Sequence, residues 1–120
     1  MRLNRVTIPV SNIPASKAFY PELGFRLLVD SPHYARFLAP EGDTTFSLHV
    51  TEEPIVPGTV VYLECDALDD EVAALKAEGF EFETDPADMS WLWREANLRD
   101  PDGHLIKLYH AGVNRIDPPW

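Results

Sequence analysis

The stretch NLRDPDGHLIKLYH, Asn97 to His110, reads as a strand, a tight turn and a second strand. Asn97-Leu98-Arg99 runs into Asp100-Pro101-Asp102-Gly103. Proline presets φ at an early turn position, Asp102 is placed to bond its own local backbone, and Gly103 accepts positive φ. From Leu105 to Tyr109 the faces alternate, with Ile106 and Leu108 on one side and Leu105, Lys107 and Tyr109 on the other. A hairpin alone fits many folds. This one decides the fold because the rest of the chain can be laid out twice around it.

Upstream, Arg5 to Ser11 sets Val6, Ile8 and Val10 against Arg5, Thr7 and Pro9, the pattern of a strand with one apolar face. Pro9 has no donor, so this strand belongs at an edge or carries a break. Pro14 marks the first turn of a helix, Ser16, Phe19, Tyr20 and Leu23 share its face, and Gly24 closes it. Phe25–Asp30, Tyr34–Leu38 and Thr44–Thr51 follow as strands, separated by Ser31-Pro32 and by Pro40-Glu41-Gly42-Asp43.

Glu52 to Gly58, with two prolines and a glycine, reads as a linker. The plan then repeats: a strand at Thr59–Cys65 and a helix with the stripe Leu68, Val72 and Leu75. Asp69, Asp70 and Glu71 lie in the helix's first turn, where the dipole favours negative charge. Gly79 closes it. Phe80–Glu83 is expected as a strand, Thr84–Ser90 as a polar loop and Trp91–Arg99 as a strand leading into the hairpin. A shift of 55 places Val6 on Val61, Ile8 on Leu63, Gly24 on Gly79 and Phe25 on Phe80, counted along the chain. A shift of 60 then places Phe46 on Ile106 and Leu48 on Leu108. This is an internal duplication. The expectation is a single α+β domain, 1–120, of two βαβββ modules at about 1–51 and 59–111, with linker 52–58 and tail 112–120.

Twenty Asp and Glu against ten Lys and Arg give a net charge of −10, which disfavours nucleic acid and anionic membranes. One cysteine, Cys65, excludes an internal disulfide and suits a reducing compartment. No apolar run approaches the ~20 residues of a membrane span, and MRLNRVTIPV lacks a signal peptide's apolar core. A cytoplasmic protein is expected.

With duplicated halves, a helix ending Leu23-Gly24-Phe25 and the run LRDPDGHLIKLY, the chain resembles the vicinal oxygen chelate superfamily. That group holds glyoxalase I, bleomycin resistance proteins, extradiol dioxygenases and fosfomycin resistance proteins. The segment WLWREANLRDPDGHLI is most similar to glyoxalase/bleomycin-resistance members. The resemblance, from Met1 to about Ala111, implies paired βαβββ modules in a curved mixed sheet around a cleft, a homodimer, and a ligand on the concave face. Metal-bearing relatives hold a divalent ion through His, Gln or Glu of the first and last strands of the modules. The matching positions here are Arg5, Ser47, Val60 and Lys107. Two cations, a residue with no ligand atom and a poor ligand do not suit such an ion, so neither metal nor other cofactor is expected.

Strand phase places Arg5, Thr7, Thr45, Ser47, His49, Tyr62, Glu64, Lys107 and Tyr109 on the concave face. Glu64 is expected to pair with Arg5 or Lys107. His49 and Glu64 are the candidate bases, His104 and His110 are expected in solvent, and His33, Tyr34 and Arg36 at the rim. Trp91 and Trp93, assigned to one strand face, offer a stacking wall or a dimer contact, and Trp120 is expected to dock on a partner subunit or over the cleft mouth. Two functions follow. One is metal-free binding of a small aromatic or cationic compound. The other is an enzyme, a small-carbonyl lyase or isomerase or a dioxygenase, metal-free or with a displaced metal site.

Overall fold

Asn12 starts the first helix by accepting a hydrogen bond from the Ala15 amide at 3.0 Å, with Pro14 at the opening turn. This helix, α1 (Ile13–Phe19), tightens into a 3-10 turn over Tyr20–Leu23 and stops at Gly24, whose φ of 96° is readily available only to glycine. The structure is a computed structural model describing residues 1–120. Around α1 run β1 (Arg5–Val10), β2 (Arg26–Asp30), β3 (Tyr34–Leu38) and β4 (Thr45–Val50). The second half repeats the order with β5 (Val60–Glu64), α2 (Leu68–Ala77), β6 (Phe82–Asp88), β7 (Arg94–Arg99) and β8 (Leu105–His110). The fold is α+β, and the chain divides into two compact units, 1–57 and 58–120.

Each unit holds one four-stranded mixed sheet, ordered β1-β4-β3-β2 in the first and β5-β8-β7-β6 in the second. β1 lies parallel to β4 and β5 parallel to β8, and the remaining pairs are antiparallel. The matched topology bears out the duplication read from the two sets of strands. Pro9 sits on an edge strand, where a missing donor is tolerated.

The core of unit 1 is aromatic. Tyr20, Phe25, Phe37 and Phe46 are buried, with the Tyr20 ring 5.0 Å from Phe46 and 5.6 Å from Phe25. Burying each such ring contributes roughly 1.5–3 kcal/mol. In unit 2 the expected stripe of α2, Leu68, Val72 and Leu75, is buried alongside Ala96, Leu98, Ile106 and Leu108 of the sheet.

Two stretches depart from the sequence reading. The expected loop at Thr84–Ser90 is mostly strand, since β6 extends to Asp88. Pro86 and the local sequence hid it, but β6 is an edge strand and its register slips on either side of Thr84. Thr84 Oγ1 itself accepts from the Asn97 amide at 3.0 Å, a side chain standing in for a ladder carbonyl. Conversely, Trp91 and Trp93 lie before β7, not on it. Met89–Trp93 is a turn closed by the Met89 amide on the Trp93 carbonyl at 2.7 Å, with Leu92 at φ 71°.

Candidate functional site

In each unit one sheet face packs on the helix and the other is open. On the open face of unit 1, β3 and β4 place Arg36 opposite Ser47 and Tyr34 opposite His49, while β1 sets Arg5 opposite Thr45 and Thr7 opposite Ser47. Tyr34 and Arg36, assigned to the rim from sequence, are at the centre. The Tyr34 phenol oxygen bonds Ser47 Oγ at 2.7 Å and accepts from Arg36 Nε at 2.9 Å and from Arg5 Nη1 at 3.4 Å. Burial pushes the phenol's pKa up, but the hydrogen bonds from Ser47, Arg36 and Arg5 and the Arg36 charge outweigh it. The net effect is a fall from 10.0 to about 8. Thr7 and His49 are exposed.

The open face of unit 2 is aromatic. Trp93 and Tyr109 stack with ring centres 4.4 Å apart, and Tyr62 stands edge-on to both, at 85° and 90°. Tyr62 is 51% exposed. Lys107 Nζ lies 5.7 Å from the Tyr62 ring centre. The Trp93 indole nitrogen and Asn97 Oδ1 are buried without a hydrogen-bond partner. Burial raises the Tyr109 pKa, helped by the Glu64 charge.

Lys107 is paired, but not to Glu64. Its ammonium meets Glu95 Oε1 at 2.9 Å, and Glu95 is only 3% exposed. The sequence reading named no partner at Glu95; alternation across β7 and β8 was the available signal. Trp91 Nε1 also reaches Glu95 Oε2, at 3.4 Å. Arg94 points away from this face and holds Asp69 and Asp88.

Glu64, named above as a partner for Arg5 or Lys107, instead caps the end of β8. Its carboxylate accepts from the Ala111 amide at 3.1 Å and the Gly112 amide at 3.2 Å. His110 Nδ1 lies 3.1 Å from it and 2.8 Å from the Cys65 carbonyl. Glu64, Asp66 and His110 thus gather donor atoms within 4.8 Å of one another. With Nδ1 against a carbonyl oxygen and the Glu64 oxygens on backbone amides, hydrogen bonding accounts for this cluster. His104, expected in solvent, is buried. Trp120 bonds within its own chain, donating from Nε1 to the Trp91 carbonyl at 3.0 Å.

Residues 2–108 match the family model described as Glyoxalase/Bleomycin resistance protein/Dioxygenase superfamily. The chain belongs to this superfamily. A search of curated proteins finds no match. Among solved structures, a glyoxalase/bleomycin resistance protein/dioxygenase from Nocardioides is similar at TM-score 0.81 and 23% identity, covering 100% of this chain and 88% of that one. A bleomycin-binding protein complexed with bleomycin is similar at TM-score 0.73 and 22% identity, with 93% and 99% covered. A bleomycin resistance determinant encoded on the transposon Tn5 gives TM-score 0.73 and 21% identity, with 92% and 98% covered. At these identities the structural likeness shows the glyoxalase/bleomycin resistance fold.

Proposed function

We propose that this glyoxalase/bleomycin-resistance member binds a small planar aromatic compound without a metal ion. The observation that carries the reading is the group of Tyr62, Trp93 and Tyr109. A stacked pair meets a third, half-exposed ring at right angles, which offers a flat ligand both a face and an edge. The bleomycin-binding neighbour supports a binding role by likeness of fold. A cationic ligand has less support, because the open faces carry Arg5, Arg36 and Lys107.

The positions that would hold the family's metal do not fit one. Arg5 is a cation bonded to Tyr34, Ser47 Oγ is engaged by the same phenol, Val60 has no donor, and Lys107 is an ammonium held by Glu95. The enzyme alternative also loses support. Of the candidate bases, Glu64 has its carboxylate oxygens engaged by the Ala111 and Gly112 amides.

Titration of tryptophan fluorescence tests the reading, with bleomycin and neutral planar heteroaromatics as probes. A saturable quench is expected, weakened tenfold or more by Tyr62→Ala. Absence of quench and of any thermal shift, or stoichiometric Zn, Ni, Mn or Fe in protein purified without chelator, would overturn it. A homodimer is part of the proposal. The edge strand β2 exposes Leu27, Leu28 and Val29, an apolar row that a second copy would cover. Light scattering giving one chain's mass would contradict this.

A further inference from the structure

The open face of unit 1 carries chemistry that ring stacking leaves unused. Arg5 from β1 and Arg36 from β3 converge on one neutral oxygen, the Tyr34 phenol, which also bonds Ser47 of β4. The Arg36 guanidinium lies 5.5 Å from the centre of the Tyr34 ring. Five of the ten Lys and Arg side chains meet a carboxylate, and Arg5 and Arg36 do not. Of the others without one, Arg2, Arg26 and Arg115 are exposed to solvent, whereas Arg5 and Arg36 are half-buried together on one sheet face. A phenol cannot neutralise two guanidiniums, and each planar fork carries more donors than one oxygen can accept.

We propose that Arg5, Tyr34, Arg36 and Ser47 form a binding site for the carboxylate group of a small organic acid. The inference rests on the reading of the open sheet faces as ligand surfaces, and it names what the unit 1 face takes. A carboxylate matches the guanidinium fork in shape and charge. The Tyr34 and Ser47 hydroxyls, bonded to each other at 2.7 Å, leave one O–H between them as a further donor. The groups facing the phenol are Arg5 on β1, Arg36 on its own strand, and Ser47 and His49 on β4; β2 presents Val29 opposite Arg36. No side chain of this set supplies a fixed negative charge. A bound carboxylate supplies it, and so does ionisation of Tyr34, so the two compete for the same cations.

That competition gives a test independent of any aromatic ligand. Tyrosinate absorbance is followed against pH, and Tyr34 is isolated by subtracting the Tyr34→Phe variant. Wild type is expected to titrate near 8. Acetate, which has a carboxylate and no ring, should raise that midpoint by about one unit relative to chloride at equal ionic strength. Arg36→Gln should return the midpoint towards 10.0 and abolish the acetate effect. Arg36→Lys, which keeps the charge and loses the fork, should weaken acetate binding about tenfold. A midpoint that acetate leaves unmoved, or that phosphate moves and acetate does not, overturns the proposal. Because no tryptophan is read, failure here is distinct from failure of the stacking reading in unit 2.

Discussion

Cys65 is flanked by Glu64 and Asp66 in the chain, and the fold brings Glu71 near it. Burial first, then the Glu71 and Glu64 charges, push its thiol from 9.0 up to about 11. Only the thiolate is nucleophilic, and two pKa units set its fraction. Native protein should therefore react with iodoacetamide at pH 8 about a hundredfold more slowly than the urea-unfolded chain, followed by mass spectrometry. Glu95 makes the opposite case, a charge buried with its partner. Glu95→Ala leaves the Lys107 ammonium, 15% exposed, without a counter-charge. Loss of about 3–5 kcal/mol in urea unfolding is expected, with a smaller loss when Lys107→Met is added. Asp100 shows what a local reading leaves out: beside Asp102, which the turn pattern singles out, buried Asp100 Oδ1 accepts from both the Asp102 and His104 amides at 2.9 Å.

At the level of elements, the backbone conformations that glycine favours and others resist make the clearest tests. Gly24 ends the helical segment at φ 96°, and a Cβ there would lie 3.2 Å from Pro40 Cβ. Gly42, at φ 79°, has open space around it. Gly24→Ala should cost about 1–2 kcal/mol in thermal or urea unfolding, and more than Gly42→Ala. Leu92 occupies the same region, at φ 71°, in the turn before β7, and its side chain is half exposed. Leu92→Gly should stabilise by roughly 0.5–1 kcal/mol, since relief of strain outweighs the added chain entropy. Both helices, their terminal glycines and all eight strands were legible from periodicity and turn residues. The extent of β6 beyond Glu83 and the start of β7 were not, because a bulged edge strand breaks period two and a tryptophan-rich turn imitates a strand.

For the whole molecule, charge is the property that composition alone sets. With a net charge of −10, much of the acidic excess has no cation to meet. Screening should favour the compact state, so the thermal midpoint is expected to rise by a few degrees from low to moderate NaCl, measured by scanning calorimetry. No helix is long and apolar enough to cross a membrane. The duplicated topology, two sheets with the same strand order each carrying one helix, follows from the repeat of strand, helix and three strands.

The hairpin Asn97–His110, the matched glycines and the two sets of alternating strands determined the fold by themselves, because period, turn chemistry and duplication are properties of order along the chain. Which side chains share an open face was also legible, since alternation fixes it: Arg5 with Ser47, Tyr62 with Lys107. What alternation cannot fix is which neighbour a long side chain reaches. Arg5 and Arg36 close on Tyr34, Lys107 finds Glu95, and Glu64 turns to the backbone of Ala111 and Gly112. Those choices depend on strand order, register and the length of flexible side chains, and the tertiary structure alone decided them.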